Sequence, residues 1–234
     1  MSEKKYSVVL TVILVIIIIA IIGLLGFVAF NFISTKNSTQ QASDFVDSFT
    51  DTISTAETEN TTKNNTVSPS NIITENTITD ETDLHTDTNT TTVSGKKKVT
   101  YKGFETLGTI QIPKTNVKYP ILAKMSKSSL ETAPVAIYPM NVELNTVGNV
   151  VIVGHNYRNG TFFSNNKQLN IGDKIYITDL NGNRVTYVIY NKFETSQTDT
   201  KSYNKDTNGK REITLSTCTD ASNDQRLIIE AREE

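Results

Sequence analysis

Cysteine is nearly absent from this chain of 234 residues. Cys218 is the only one, so an intramolecular disulfide is excluded. Histidine is almost as scarce, with His85 in a polar tract and His155 in the segment Gly154-His155-Asn156. A strong charge of one sign is also missing: the formal net charge is −2, and no basic patch suited to nucleic acid stands out. Cys218 ends the segment Thr214-Leu215-Ser216-Thr217-Cys218, and eight positions later Arg226 opens the apolar run Leu227-Ile228-Ile229. A potential nucleophile, a potential acid or base and a fixed cation therefore belong to one globular stretch of sequence.

Polarity divides the chain into segments, so the mean hydropathy of −0.29 describes none of them. Residues 1–7 are a short N-terminus that contains Lys4 and Lys5. Residues 8–33 are almost continuously apolar, broken mainly by Thr11, Gly23, Gly26 and Asn31, and a run of about 25 residues crosses a hydrocarbon core with some tilt. A cleavable signal peptide would have an apolar region of about 7–15 residues and a small-x-small end, which Phe30-Asn31-Phe32 does not supply. The expectation is a retained single-pass anchor in the cell membrane. Lys4 and Lys5 place the N-terminus in the cytoplasm and everything after residue 33 outside, a type II orientation.

Residues 34–98 are dominated by Thr, Ser, Asn, Asp and Glu, a composition that does not bury enough surface to offset its ordering entropy. The reading is a disordered acidic spacer with a coil dimension of roughly 45 Å, and His85 belongs to it as a solvated residue. Residues 34–95 hold 10 acidic and 2 basic side chains, a net of −8, whereas 99–234 hold 14 acidic and 16 basic, a net of +2. Within residues 99–234 the pattern changes to short β-branched and aromatic runs separated by turn residues. Strands are expected over 106–112, 116–122, 149–153, 174–178, 184–190, 212–217 and 226–231. Seven or eight short strands in one segment of this length suit an all-β barrel or sandwich. Asn181-Gly182 marks a hairpin, and Ser126 reads as the cap of one or two helical turns stopped by Pro134. The polar stretch 191–210 is the longest expected connection, leading into the strand that ends at Cys218, where a loop shapes specificity.

A thiol attacks as its thiolate, and with a reference pKa near 8.5 only about 3% would be ionised at pH 7. Histidine, at a reference pKa of about 6.5, would be protonated in roughly a quarter of molecules, so the reactive ion pair would exist in on the order of 1%. That population suffices for a slow enzyme. The pair suits acyl transfer: the thiolate adds to a carbonyl, the imidazolium protonates the leaving amine, and a cation stabilises the oxyanion. Arg226 fits the last role because it stays charged and offers a two-point fork. Neither Asp nor Glu directly flanks His155. Taken singly, each residue also has a plain structural explanation, as a buried small hydrophobe, a strand-end imidazole or a solvent-facing cation.

In combination these residues resemble the sortase family, the cysteine transpeptidases that join proteins to the Gram-positive cell wall. Thr214-Leu215-Ser216-Thr217-Cys218 matches the family's Thr-Leu-x-Thr-Cys motif, Gly154-His155 ends an apolar strand, and Arg226 lies in the strand after the cysteine. The resemblance implies a closed eight-stranded β-barrel in which His155 follows the fourth strand, Cys218 ends the seventh and Arg226 lies on the eighth. It implies that Cys218 attacks the Thr-Gly bond of a Leu-Pro-x-Thr-Gly sorting signal to form a thioester. His155 would then serve the leaving and incoming amines, and Arg226 the oxyanion. The accepting amine would belong to a peptidoglycan precursor of the lipid II type, and the partners would be surface proteins bearing the signal. Thr217 and Asn149 correspond to substrate-binding positions. No cofactor is implied. Some relatives bind calcium near this loop, but Glu143, Glu194, Asp199 and Asp206 are too dispersed to specify an oxygen-rich cage, so no obligatory metal is expected.

The chain carries neither the Asp-Pro-aromatic lid motif nor the C-terminal membrane helix of many pilin-polymerising sortases. The connection 191–210 also lacks the helical insertion of the class B type. A class A or D type is therefore favoured over a class C or B enzyme with another sorting motif. Three other functions stand as alternatives. An L,D-transpeptidase would place its arginine two positions after the cysteine, where Asp220 stands here. A cysteine protease would share the acyl-enzyme and resolve it with water. A membrane-tethered binding domain without catalysis would leave the three residues incidental.

Overall fold

The structure, a computed structural model, describes residues 3–61 and 98–234. The expected spacer positions 62–97, including His85, lie outside the described residues. The chain divides into two compact units, Met1–Gln41 and Ala42–Glu234. In the first, helix α1 (Glu3–Thr61) begins and carries the stretch Val12–Phe30, whose mean hydropathy of 3.4 and 19 residues are enough to cross a membrane.

The helix does not stop at residue 33. Positions 34–61 are helical, which corrects the expected boundary of the disordered spacer. The physical reason is a short apolar stripe hidden in polar composition. Ala42, Val46 and Phe49 follow a spacing of four and three and are buried within the second unit. Phe45 packs against Tyr101 with ring centroids 4.9 Å apart, and Asp47 pairs with Lys118 at 2.5 Å. Averaging over the whole polar tract conceals these few residues.

The rest of the second unit is a closed barrel. Its strands are β1 (Thr100–Tyr101), β2 (Phe104–Ile112), β3 (Val117–Leu122), β4 (Val135–Tyr138), β5 (Gly148–Val153), β6 (Lys174–Asp179), β7 (Arg184–Ser196), β8 (Arg211–Cys218) and β9 (Gln225–Glu233). They run in the order β1-β2-β3-β4-β5-β8-β9-β7-β6, and β6 pairs again with β2. Strands β2 to β9 thus close an eight-stranded barrel, with the two-residue β1 added at its margin. Closure removes the open edges that a flat sheet of this size would leave. The interior is filled by alternate residues, among them Ile110, Ile152, Ile177, Ile189, Ile213, Leu215 and Ile229.

Local chemistry explains most element ends. Helix α2 (Lys127–Thr132) starts at Ser126, whose hydroxyl accepts from the Ser129 N–H at 3.0 Å while Ser129 Oγ accepts from the Ser126 N–H at 2.8 Å. The β6–β7 hairpin turns as expected, although only Gly182 takes a positive φ, at 87°. Asp179 Oδ1 closes this turn by accepting the N–H groups of Asn181 and Asn183, each at 2.9 Å. Strand β4, missing from the sequence reading, has only four residues between Pro134 and Pro139. Strand β7 runs six residues beyond the expected end, so the β7–β8 connection shortens from 191–210 to 197–210.

Candidate active site

Register builds the site. Strands β8 and β9 are antiparallel, and Cys218 stands directly opposite Arg226. On the other side of β9, Arg226 stands opposite Thr195 of β7. The arginine is therefore the middle member of a row that leads across to the thiol. Its Nη1 approaches Cys218 Sγ to 3.4 Å and also donates to Asn223 O at 2.6 Å and Gln225 O at 3.3 Å. Its Nη2 donates to Gln197 Oε1 at 3.3 Å. Four partners hold the fork, and one of them is the sulfur. A positive charge consequently lies against the atom that would become a thiolate and beside any oxyanion formed on it.

The histidine arrives from the neighbouring parallel strand. Strands β5 and β8 pair with Val153 level with Ser216, and the Gly154 N–H donates to Ser216 O at 3.2 Å. Two residues further along each strand stand His155 and Cys218. Gly154 is required here by a close approach, because a Cβ at this position would lie 2.7 Å from Phe163 Cδ2. His155 is half-buried beside Tyr157, with ring centroids 4.6 Å apart, and edge-on to Phe162 at 6.4 Å. Burial lowers its pKa from 6.5, and the Glu131 carboxylate at the end of α2 opposes that shift. Among the described residues no hydrogen bond joins the imidazole to the thiol.

The two site loops are tied together. Asn156 Nδ2 donates to Cys218 O at 2.9 Å and to Asp220 Oδ1 at 2.8 Å. Arg158 reaches across with Nε to Asp220 O at 2.8 Å and Nη2 to Thr219 O and Asn223 Oδ1, each at 3.0 Å. Lys167 pairs with Asp220. These contacts hold the turn after Cys218 against the segment after His155, so the two strand ends keep one geometry. Lys167 and Asn156 together lower the Asp220 pKa, which keeps the pairing carboxylate charged.

The other expected positions are placed differently. Thr217 is buried, lies on the opposite face of β8 from Cys218 by strand alternation, and its Oγ1 has no hydrogen-bond partner. Asn149 is also buried; its Nδ2 donates to Ser202 O at 2.9 Å and Tyr203 O at 3.1 Å, and its Oδ1 accepts from Thr214 Oγ1 at 2.9 Å. It supports the β7–β8 loop. Asp199 accepts from Thr195 Oγ1 and the Lys201 N–H, and Asp206 from the Asn208 N–H. Among the described residues no group of three His, Cys, Asp or Glu side chains is arranged to hold a metal. Sequence reasoning did not single out Gln197, Glu131 or Arg158 as site residues. Each lies in a polar segment, and only tertiary contact distinguishes it from solvated neighbours.

Comparison with known proteins agrees with this barrel. The Sortase domain model matches residues 110–234. The chain belongs to the sortase family. Among solved structures it is similar to sortase A from Corynebacterium diphtheriae, with 30% identity and a TM-score of 0.50 over 56% of this chain and 61% of that one. It is similar to sortase C-1 from Actinomyces oris, with 25% identity and a TM-score of 0.50 over 54% of this chain and 73% of the other. Sortase A from Listeria monocytogenes shares the fold, at 22% identity and a TM-score of 0.51, covering 55% of this chain and 87% of that one. The chain thus spans less than two thirds of the Corynebacterium protein. No curated protein matches it.

Proposed function

We propose that this protein is a membrane-anchored cysteine transpeptidase that cleaves a C-terminal sorting signal and transfers the new carboxyl end to an amine. The observation that carries the reading is the row Cys218, Arg226, Thr195, with Arg226 Nη1 3.4 Å from Cys218 Sγ. In this mechanism the Cys218 thiolate attacks the threonine carbonyl carbon of a Thr-Gly bond in a Leu-Pro-x-Thr-Gly-like signal. The oxyanion forms beside the Arg226 guanidinium. The C–N bond then breaks, and the glycine amine leaves with a proton from the His155 imidazolium, giving a thioester on Sγ. An incoming amine attacks the thioester and yields its proton to His155, and Cys218 departs as thiolate.

The accepting amine is that of a cell-wall peptidoglycan precursor, and the substrates are surface proteins that carry the signal. The N-terminal helix anchors the enzyme as a single-pass type II protein, with the catalytic barrel outside the cell. A general anchoring enzyme of class A or D type is favoured over a pilin polymerase by the lack of an Asp-Pro-aromatic motif in the sequence. Asn149 contributes to substrate binding by holding the loop above it, and Thr217, buried on the opposite face of β8, contributes only through the strand end that carries the nucleophile. The test uses the full chain in detergent with quenched Leu-Pro-x-Thr-Gly and Asn-Pro-x-Thr-Asn peptides, with and without triglycine. The expected outcome is a hydroxylamine-sensitive acyl-enzyme and a triglycine adduct of the first peptide, both lost in Cys218→Ala. Full turnover in that variant would remove Cys218 from the mechanism.

A further inference from the structure

The face of β8 that carries Cys218 is polar along its whole length. Glu212, Thr214 and Ser216 alternate on the same side as the nucleophile and are all buried. A polar strand face buried outside a barrel needs a cover that satisfies it. The cover here is the β7–β8 loop, residues 197–210. Tyr203 OH donates to Ser216 Oγ at 2.9 Å, Ser202 O accepts from Thr214 Oγ1 at 3.3 Å, and Lys205 Nζ pairs with Glu212 at 2.9 Å. At the catalytic end the same loop begins with Gln197, which holds Arg226. The loop therefore lies along the nucleophile's own strand face, and Tyr203 stands two positions from Cys218.

Lys205 differs from the other contacts in this ladder. It makes both ion pairs between this loop and the barrel strands among the described residues, and its side chain is only 17% exposed. Its Nζ donates to Glu230 Oε1 at 3.0 Å and to Tyr190 OH at 2.6 Å in addition to meeting Glu212. Tyr190 OH in turn donates to Glu212 Oε2 at 2.7 Å. Glu212 Oε1 accepts from Arg232 Nε at 2.7 Å, and Glu230 Oε2 accepts from Asn191 Nδ2 at 2.8 Å. Every carboxylate oxygen in the cluster is satisfied. Burial alone would lower the Lys205 pKa, but the hydrogen bonds to Tyr190, Glu212 and Glu230 outweigh it and raise the value, so the ammonium stays charged. Such a cluster is sensitive to the loss of one member, because two neighbouring carboxylates then keep their desolvation without their shared cation.

We propose that Lys205 is a positioning residue for substrate: clamped between Glu212, Glu230 and Tyr190, it fixes the 197–210 loop as a wall of the peptide-binding groove that ends at Cys218. This rests on the acyl-transfer reading of the site. Without the clamp the loop moves among several positions, and the sorting peptide must bind a surface formed only part of the time. The Cys218–Arg226 row, set by β8–β9 register, keeps its geometry. Loss of Lys205 therefore weakens binding and spares the chemical step.

The experiment compares the full chain in detergent with Lys205→Met and Lys205→Arg, using a quenched Leu-Pro-x-Thr-Gly peptide with triglycine and, separately, amide hydrogen exchange. Lys205→Met should raise KM about tenfold or more with kcat within about twofold, and Lys205→Arg should recover most of that loss. Amides of 197–206 should exchange faster in Lys205→Met while those of β8 and β9 keep their protection. Unchanged KM, a fall in kcat alone or unchanged loop exchange would each overturn the clamp. If Lys205→Met does not fold, Tyr190→Phe removes two hydrogen bonds of the cluster, from Lys205 and to Glu212, while both carboxylates keep their cation, and the same split at smaller amplitude is expected. A wild-type protein inactive on the peptide would overturn the acyl-transfer reading, and loop exchange would still decide whether Lys205 holds the loop.

Discussion

Arg226 gathers the site's geometry into one side chain. Two of its four hydrogen-bond partners are main-chain carbonyls, one is the Gln197 amide oxygen, and one is Cys218 Sγ, so the guanidinium is oriented before any substrate arrives. Preorganisation of this kind is what a charge-stabilising donor needs, because no reorganisation is then required as the oxyanion forms. Lysine at this position would keep the charge and lose the planar fork, and a single ammonium does not serve Gln197, Asn223 and the reacting atoms together. Arg226→Lys should therefore lower kcat/KM by about 100-fold or more, in line with loss of an oxyanion donor. Steady-state kinetics on the sorting peptide check it, and a near-native value would count against the oxyanion role. At this scale the sequence singled out Cys218, His155 and Arg226, since scarce residue types in a short motif leave few candidates. It was silent about Gln197 and Glu131, ordinary polar residues whose meaning comes from where the chain folds back.

At the scale of elements, the extension of α1 shows how much can rest on a few apolar positions. Val46 is fully buried and Ala42 and Phe49 nearly so, while the intervening Asp44, Asp47 and Ser48 face solvent. Placing a carboxylate at the fully buried position forces a choice between an unpaired buried charge and release of the segment. Val46→Asp should lower the stability of the second unit by about 1–3 kcal/mol, read as a reduced denaturant midpoint of the full chain. Gln41→Asp, at an exposed position, should leave the midpoint unchanged. Equal midpoints for both variants would show that the stripe contributes nothing to stability. The same reasoning explains which elements were legible. Strands with clean alternation, such as 174–178 and 212–217, match β6 and β8 to within about two residues. The far half of β7 is polar because β9 is its one partner there, and a bulge between Ile189 and Asn191 interrupts its register. Four-residue β4 offers too little length for any periodicity to show.

For the molecule as a whole, acid is expected to act in two steps whose signs agree. His155 has a folded pKa below 6.5 because burial disfavours its charged form. Below 6.5 the unfolded chain therefore takes up a proton that the folded chain refuses. Stability is complete above that value and is lost as pH falls through the window beneath it. Asp173, Asp199, Asp220 and Glu212 have folded pKa values below their ordinary range, held there by hydrogen bonds and by cations such as Lys114, Lys167 and Lys205. Their contribution is present above the ordinary carboxylate range and is lost only as pH falls through the lower folded values. Denaturant midpoints measured between pH 8 and pH 3 should thus decline first just below about 6.5 and again below about 4. His155→Gln should abolish the first decline and leave the second, whereas a first decline that persists in this variant would assign it to another group. In the proposed mechanism the same protonation that destabilises the barrel supplies the imidazolium needed by the leaving amine. A half-buried His155 therefore sets one limb of the activity profile and the upper edge of acid sensitivity with one pKa, and both should move together when Glu131→Gln removes the carboxylate that opposes its shift.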